Sequence, residues 1–425
     1  MTIQLCWNFA QLALLLFPLI PGFGALPLIV AMLLTGKQQF NTIIRRPINW
    51  VIGILSVWLV ITATLAFKPG EAFLGLANFL PFFVLFATFS ELIQTPNQLR
   101  RIAWILVLPS IPIAIVGFCQ LFLGSSASGL LANILGCAIA PGGEPPGRMS
   151  SIFMYANILA AYLTIVFIIA LGLLIEKLAI GNKNHQPITK YQTLFLTTSV
   201  IASACSLILT NSRNGWGIAA LASLAFALYL GWRWVVALVA LITTTILWSA
   251  FGLDPIRQWL RGIVPAFFWA RLTDEMFPNR PVALMRVTQW RFVGSMIQQR
   301  PWTGWGLRNF TPLYQAQMHL WLGHPHNLFL MLAAEIGIPA TIFFCGLVGW
   351  VIVQGVLLLQ NWSGKAADKL IFFSYLLAFG GCILFNTVDV TLFDPRVNTL
   401  GWLLLAAICG VVYRSEEKGD RVASR

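Results

Sequence analysis

Residues 152–175 read IFMYANILAAYLTIVFIIALGLLI, an unbroken stretch without a charged side chain. About 20 such residues in a helix cross the hydrocarbon core of a bilayer. Working outward, further apolar runs of membrane length lie near 4–20, 22–36, 48–67, 72–93, 102–123, 193–210, 214–231, 234–251, 327–359, 370–388 and 398–413. Hydrophobic residues make up 58% of the 425, charged residues 10%, and mean hydropathy is +0.80. A soluble domain carries roughly 25% charged residues, so this chain has too little polar surface to face water. Lipid is the solvent that tolerates it. The expected fold is all-α, a single transmembrane domain over 1–425 with about 12 spanning helices. Gly337-Ile338-Pro339 interrupts the longest run, which reads as a short surface helix turning into a spanning one. The first two runs, with Pro18, Pro21 and Gly22 between them, read as two crossings or as a re-entrant pair.

The net charge of +13 would suit nucleic acid, but the basic residues lie in short segments between apolar runs, which is the pattern of membrane topology. No nucleic-acid partner is expected. Lys37, Arg45, Arg46, Arg100, Arg101, Lys177, Lys183, Lys190, Arg233, Lys365, Lys369 and the tail from Arg414 fall on one side. The opposite short loops hold little beyond Lys68, Arg148, Arg213 and Arg396. The positive-inside rule then places both termini in the cytoplasm of an inner (plasma) membrane protein, with Asn184 cytoplasmic and Asn279 outside. The start of the chain reads as a first membrane segment rather than a removed signal. The seven cysteines form no CxxC or loop pair, so neither a disulfide framework nor a zinc site is indicated.

One connection is long. Residues 252–325 carry Arg257, Arg261, Arg271, Arg280, Arg286, Arg291, Arg300 and Arg308, no lysine, and only Asp254, Asp274 and Glu275 as acids. The helix count puts this segment on the outer (periplasmic) face. Its Trp, Phe and Leu argue against disorder, and 282–299 has the spacing of an amphipathic helix. Guanidinium forks match phosphate oxygens where lysine offers a point charge. Such arginines suit a diphosphate on a lipid carrier or, more simply, lipid headgroups. Arg213 sits in the polar turn Thr210-Asn211-Ser212-Arg213-Asn214-Gly215 between two apolar runs, where it either faces a partner or snorkels. Three of the four histidines cluster at His319, His324 and His326. Their spacing is not that of a helical metal pair, and no carboxylate stands nearby in sequence, so a general base fits His326 better than a metal ligand. Glu335 and Asp389 are the acids near the outer face that could orient the histidine or an arginine.

Four places together resemble the O-antigen ligase and polymerase family of membrane glycosyltransferases. These are Ser151 to Tyr162 with Asn157-Ile158-Leu159-Ala160, the Thr-x-Ser-Arg turn at Thr210 to Arg213, Arg286 with Trp290 leading into Arg300-Pro301-Trp302-Thr303-Gly304-Trp305-Gly306, and His326-Asn327 followed nine residues later by Gly337. The resemblance covers about residues 145 to 400 and implies roles at matched positions. His326 falls at the catalytic base and Arg213 and Arg286 at the diphosphate-holding arginines. Arg291, on the same predicted helix, is placed with them, and Asn327, Glu335 and Asn157 support them. Ala340 and Ala156 depart from the family pattern without removing a reactive group. The family also includes a cyanobacterial branch proposed for bicarbonate accumulation, which Asn386 to Asp389 and Leu392 to Arg396 resemble.

The resemblance implies transfer of a glycan from an undecaprenyl diphosphate carrier to the hydroxyl of a lipid or glycan acceptor, in the manner of an O-antigen ligase. No Asp-x-Asp motif is present, so no metal and no cofactor are expected. The alternatives are an O-antigen polymerase, a bicarbonate-accumulation or anion-transport protein, and a scaffold. Transport predicts polar residues spread through the spans and an internal repeat, and neither is evident.

Overall fold

The computed structural model describes residues 3–180, 190–273, 275 and 281–423. The expectations resting on Lys183, Asn184, Asp274, Asn279 and Arg280 lie outside the described residues. The first half contains α1 (Ile3–Leu16), α2 (Pro21–Gln38), α3 (Phe40–Arg45), α4 (Pro47–Thr64), α5 (Pro69–Leu76), α6 (Leu80–Leu92), α7 (Pro96–Val107), α8 (Ser110–Phe122), α9 (Gly129–Leu135) and α10 (Ala156–Ile175). Then come α11 (Lys190–Leu209), α12 (Arg213–Leu230) and α13 (Arg233–Phe251). The long connection contributes α14 (Ile256–Ile263), α15 (Ala266–Leu272), α16 (Arg286–Gln299) and α17 (Phe310–Met318). The chain closes with α18 (Leu328–Ile336), α19 (Ile338–Gln360), α20 (Ala366–Asn386) and α21 (Pro395–Ala423).

The fold is all-α and polytopic, as the apolar runs predict. Among the described residues, nine helical stretches are long and apolar enough to cross a membrane: Pro47–Thr64, Pro69–Leu92, Pro96–Phe122, Ala156–Leu178, Lys190–Leu209, Arg233–Phe251, Ile338–Gln360, Ala366–Asn386 and Pro395–Glu417. The three remaining runs are helical too. They are α1, which is short, and α2 and α12, whose polar ends at Lys37-Gln38 and Arg213-Asn214 dilute them. The first two runs form separate helices joined at Pro18 to Ile20 and packed on each other.

The run at 327–359 breaks where expected. Gly337 adopts φ 85, and α18 and α19 are distinct helices on either side of it.

The α10 helix sits at the centre, buried nearly all round and packed against α7, α11, α12, α20 and α21. In lipid, helices associate by close van der Waals packing, so small residues mark the tight crossings. Gly172 of α10 is one: a Cβ there would lie 2.1 Å from the Ser374 hydroxyl of α20. By contrast α13 and α19 are largely uncovered, and their exposed leucines, isoleucines and valines form an apolar belt.

Polar contacts sort to the two ends of the bundle. At one end Arg46, before α4, pairs with Glu91 of α6 at 2.5 Å, and its guanidinium stacks 4.0 Å from the Tyr413 ring. Arg100 of α7 reaches both Glu176 at 2.7 Å and Asp368 at 2.9 Å. The opposite end carries the 123–155 connection, the 252–327 connection and the turn from Thr387 to Asp394. Arg46 and Glu91 are both 6% exposed. Removing one partner of a buried pair strands the other and costs about 3–5 kcal/mol, whereas replacing both by apolar residues costs far less. Glu91→Gln should therefore lower the thermal unfolding midpoint in detergent sharply, and Arg46→Met with Glu91→Leu should recover most of it. Equal loss in the two variants would show that the pair contributes net stability.

Candidate functional site

The site is built around one carboxylate. Asp389 lies in the turn after α20, 4% exposed, and its Oδ1 accepts the Val390 N–H at 2.9 Å. His326 Nδ1 stands 3.2 Å from the same oxygen and His324 Nε2 stands 3.8 Å from it. Asn157 Nδ2, in the first turn of α10, donates to Oδ2 at 2.6 Å. Behind Asn157, an Arg148 NH2 donates to its Oδ1 at 2.5 Å while Arg148 Nε donates to the Thr210 carbonyl at 2.8 Å. A chain of polar contacts therefore runs from the Thr210 turn through Arg148, Asn157 and Asp389 to His326.

These contacts fix the tautomers. The His326 backbone N–H donates to His324 Nδ1 at 3.2 Å, so a neutral His324 carries its proton on Nε2, facing Asp389. His326 donates Nδ1–H to the carboxylate, which leaves the Nε2 lone pair for a substrate proton. Burial would push the Asp389 carboxyl up, but the His326 hydrogen bond, the charges of both histidines and the Val390 N–H hold it below the usual range. Burial pushes His324 down to about 4, against the pull of Asp389 and with help from the charges of His326 and Arg286. His324 is also stacked on Phe393 and set edge-on to His326, with ring centroids 6.1 Å and 4.6 Å apart.

The strand-free segment before α18 is held by its own backbone. Trp305 N donates to the Ala334 carbonyl at 2.9 Å, Gly306 N to the Glu335 carbonyl at 2.8 Å, and Ile338 N to the Pro301 carbonyl at 2.8 Å. The last carbonyls of a helix need outside partners, and the 301–306 segment supplies them. Close approach explains two glycines. A Cβ at Gly304 (φ +67) would lie 2.4 Å from the Glu335 carbonyl carbon, and one at Gly337 (φ +85) would lie 2.1 Å from the Trp302 oxygen. Asn327 caps α18 through Leu330 N at 2.9 Å and donates to the Thr387 carbonyl at 2.8 Å, tying the histidine segment to the Asp389 turn. Trp290 Nε1 donates to the Pro325 carbonyl at 3.0 Å, which ties α16 to the same segment.

The predicted site residues separate into two groups. His326 and Asn157 converge on Asp389, and Asn327 ties the histidine segment to the same turn through the Thr387 carbonyl. Arg213 reaches the Leu272 carbonyl at 3.4 Å and lies close enough to Arg148 for its charge to act on that guanidinium, while Arg286 lies close enough to act on His324. Arg291 does not join them. Five residues past Arg286 and about 140° round the helix, it is exposed. The amphipathic segment 282–299 is α16 preceded by a single 3-10 turn at Val282–Leu284. Glu335 also differs from the expectation: its Oε1 accepts the Phe310 N–H at 3.2 Å, so it braces the loop and does not orient the histidine. Of the remaining histidines, His324 belongs to the cluster and His319 is an exposed left-handed C-cap of α17.

Sequence reasoning missed Arg148. Its signal was its place among the few charges on the sparsely charged side, within the short Gly-Pro-rich stretch before α10. The absence of a carboxylate near the histidines in sequence was also misleading, because the fold brings one in. His324 Nε2, His326 Nδ1 and Asp389 Oδ1 form a set whose ligand atoms lie within 4.8 Å of one another, which a divalent cation could occupy. Arg148 and Arg286 lie close enough for their charges to act on Asp389 and His324, and they weigh against a cation in that space.

Beside the histidine segment, an apolar cavity of about 290 Å³ opens from Leu328 and Phe329 into the bundle, past Phe344, Phe379 and Trp402, with Asn386 and Asn398 among its few polar groups.

The fold defines a multi-pass membrane protein with a buried polar cluster at one end of its bundle. Residues 198–345 match the family described as O-Antigen ligase. The matched segment contains Arg213, Arg286, Arg291, His326, Asn327 and Glu335, while Arg148, Asn157 and Asp389 lie outside it. No curated protein sequence matches the chain. A solved structure described as "Structural coordination of polymerization and crosslinking by a peptidoglycan synthase complex" is 16% identical and covers 88% of this chain and 97% of that chain, with a TM-score of 0.43. That likeness is too loose to carry an argument.

Glu335 provides a test of the loop brace. It is 1% exposed, and burial raises it from 4.5 to about 7 against the Phe310 and Arg308 N–H groups and the Arg308 charge. A carboxyl with a raised folded value keeps its proton while the unfolded chain loses it. Its contribution is therefore fully present below about pH 4.5 and is lost as pH rises through about 7. Glu335→Gln should flatten the fall in thermal stability across that window. An unchanged pH slope would show that Glu335 is ionised in the folded protein.

Proposed function

We propose that the protein transfers a glycan from a polyprenyl (undecaprenyl) diphosphate carrier to an acceptor hydroxyl at the outer face of the inner membrane, as an O-antigen ligase does. The observation that carries this reading is the His326–Asp389 contact backed by Asn157 and Arg148, with Arg213 and Arg286 beside it. His326 Nε2 takes the acceptor O–H proton, and the acceptor oxygen bonds to the anomeric carbon. The bond from that carbon to the diphosphate oxygen breaks, and the electron pair leaves on the diphosphate. Arg213 and Arg286 carry the developing negative charge. Asp389 holds the imidazole in one tautomer and stabilises the imidazolium that forms.

The apolar cavity beginning at Leu328 suits the first prenyl units of the carrier. An anion permease would need a polar route there, and the cavity's aromatic lining does not provide one. The same residues serve a polymerase, whose acceptor is a second lipid-linked glycan, so the acceptor is left as a lipid or glycan hydroxyl. The reading is metal-independent, so transfer should continue in the presence of a chelator.

Replacing a general base typically costs about 10² to 10⁴ in rate. His326→Ala should lose at least that much transfer of a lipid-linked oligosaccharide while still binding the donor, and Asp389→Asn should follow it part of the way. His319→Ala should stay near the wild-type rate. Transfer by His326→Ala at the wild-type rate would remove the base and the reading with it. Arg213→Lys should fail to rescue Arg213→Ala, because one ammonium does not reproduce a guanidinium fork.

The sidedness of the site is tested separately. A cysteine introduced at the exposed Gln317 should react with an impermeant maleimide added outside the inner membrane, and one at Ser363 only after the membrane is opened. Reversed accessibility would place the histidines in the cytosol.

A further inference from the structure

Among the described residues, most of one apolar face of the α14 helix is left uncovered. Ile256, Trp259, Leu260 and Ile263 recur at the spacing of one helical stripe, and Ile256, Trp259 and Ile263 are 52%, 68% and 61% exposed. Arg257 and Arg261 occupy the other face and are held down on the protein. Arg257 pairs with Asp254 at 2.8 Å. Arg261 donates to the Ser249 carbonyl at 2.9 Å, pairs with Glu275 at 2.9 Å and stacks 4.0 Å from the Trp269 ring. A helix arranged to bury its stripe in protein would point these groups the other way.

The stripe is continuous with the apolar belt. It follows directly on α13, whose Leu241, Trp248 and Phe251 are exposed on the spanning surface, and α13 packs along α14. Trp234, at the far end of α13, is 90% exposed. Tryptophans at both ends of a spanning helix mark the two interfaces of the bilayer, which puts Trp248 and Trp259 at the level of the headgroups. A short helix with an apolar face and arginines opposite is the composition that lies in that layer.

The next helix connects this element to the site. Phe267 and Phe268 of α15 pack on Trp216, with ring centroids 5.3 Å and 5.4 Å apart, and the Leu272 carbonyl at its end accepts from Arg213. We infer that α14 is a leaflet-seated anchor, occupied on its apolar face by the acyl–headgroup boundary of the membrane, which holds α15 over the Arg213 turn and sets that arginine at the depth of a lipid-borne phosphate. The coupling to Arg213 rests on the proposed function. The seating in the leaflet does not.

Nitroxide labels on Trp259→Cys and, separately, Arg257→Cys test the seating in vesicles of phosphatidylcholine and phosphatidylglycerol, with the signal of the native cysteines subtracted from the unsubstituted protein. The label at 259 should collide with oxygen and be shielded from water-soluble nickel chelate, and the label at 257 should show the reverse. Equal access of the nickel chelate to both positions would overturn the anchor. For the coupling, Ile263→Glu should weaken binding of undecaprenyl diphosphate on the order of tenfold or more, the scale of loss when a positioned group is displaced. Unchanged binding in Ile263→Glu alongside weakened binding in Arg213→Ala would overturn the coupling. Unchanged binding in both would overturn the role of Arg213 as a donor contact, and the collision data alone would then decide the anchor.

Discussion

The arrangement at this end of the bundle depends on the burial of the Asp389 carboxylate. A charge taken out of water must be met by donors and counter-charges, or it takes up a proton instead. Here the donors come from three parts of the chain, the Val390 backbone, the Asn157 amide and the His326 ring, with the His324 ring 3.8 Å away. Each donor is itself constrained. Asn157 is held by Arg148, and His324 accepts a backbone N–H that settles its tautomer. Geometry that could have been left to flexible side chains is in this way imposed by the need to satisfy one buried group.

The rest of this end of the bundle serves to bring those donors into register. The backbone contacts between 301–306 and the end of α18 fix where the histidine segment begins, and Asn327 links it to the Thr387 carbonyl one turn from the acid. The cation-rich surroundings have a second effect. Burial holds His324 neutral, and the Arg286 charge adds to that bias. An anion bound beside Arg286 would offset that part of the bias, which links the protonation of His324 to anion binding there.

The fold was legible in the sequence because its physics is one-dimensional. A spanning helix must carry its own apolar run, and Gly337-Ile338-Pro339 must end a helix wherever it stands. Half of the site was legible as well: His326, Asn327, Asn157, Arg213 and Arg286 all sit in short patterns of turn and helix start. The remainder was not, because it depends on which helices lie side by side. Glu335 and Asp389 look alike in sequence, yet one faces the Phe310 amide and the other a histidine. Arg286 and Arg291 look equally basic, and only their angle round α16 separates them. Arg148 is visible as an isolated charge, but nothing local pairs it with a residue on the next helix.

The contact between Asn157 and Asp389 joins positions 232 residues apart, and this bears on how the protein is made. A chain inserted from its N-terminal end places Arg148, Asn157, Arg213 and the histidines in the membrane well before the acid that organises them. Until the hairpin of α20 and α21 enters the bundle, His326 has no carboxylate to orient it, and the Asn157 amide lacks its acceptor. The polar cluster is therefore complete only once the last two helices are in place.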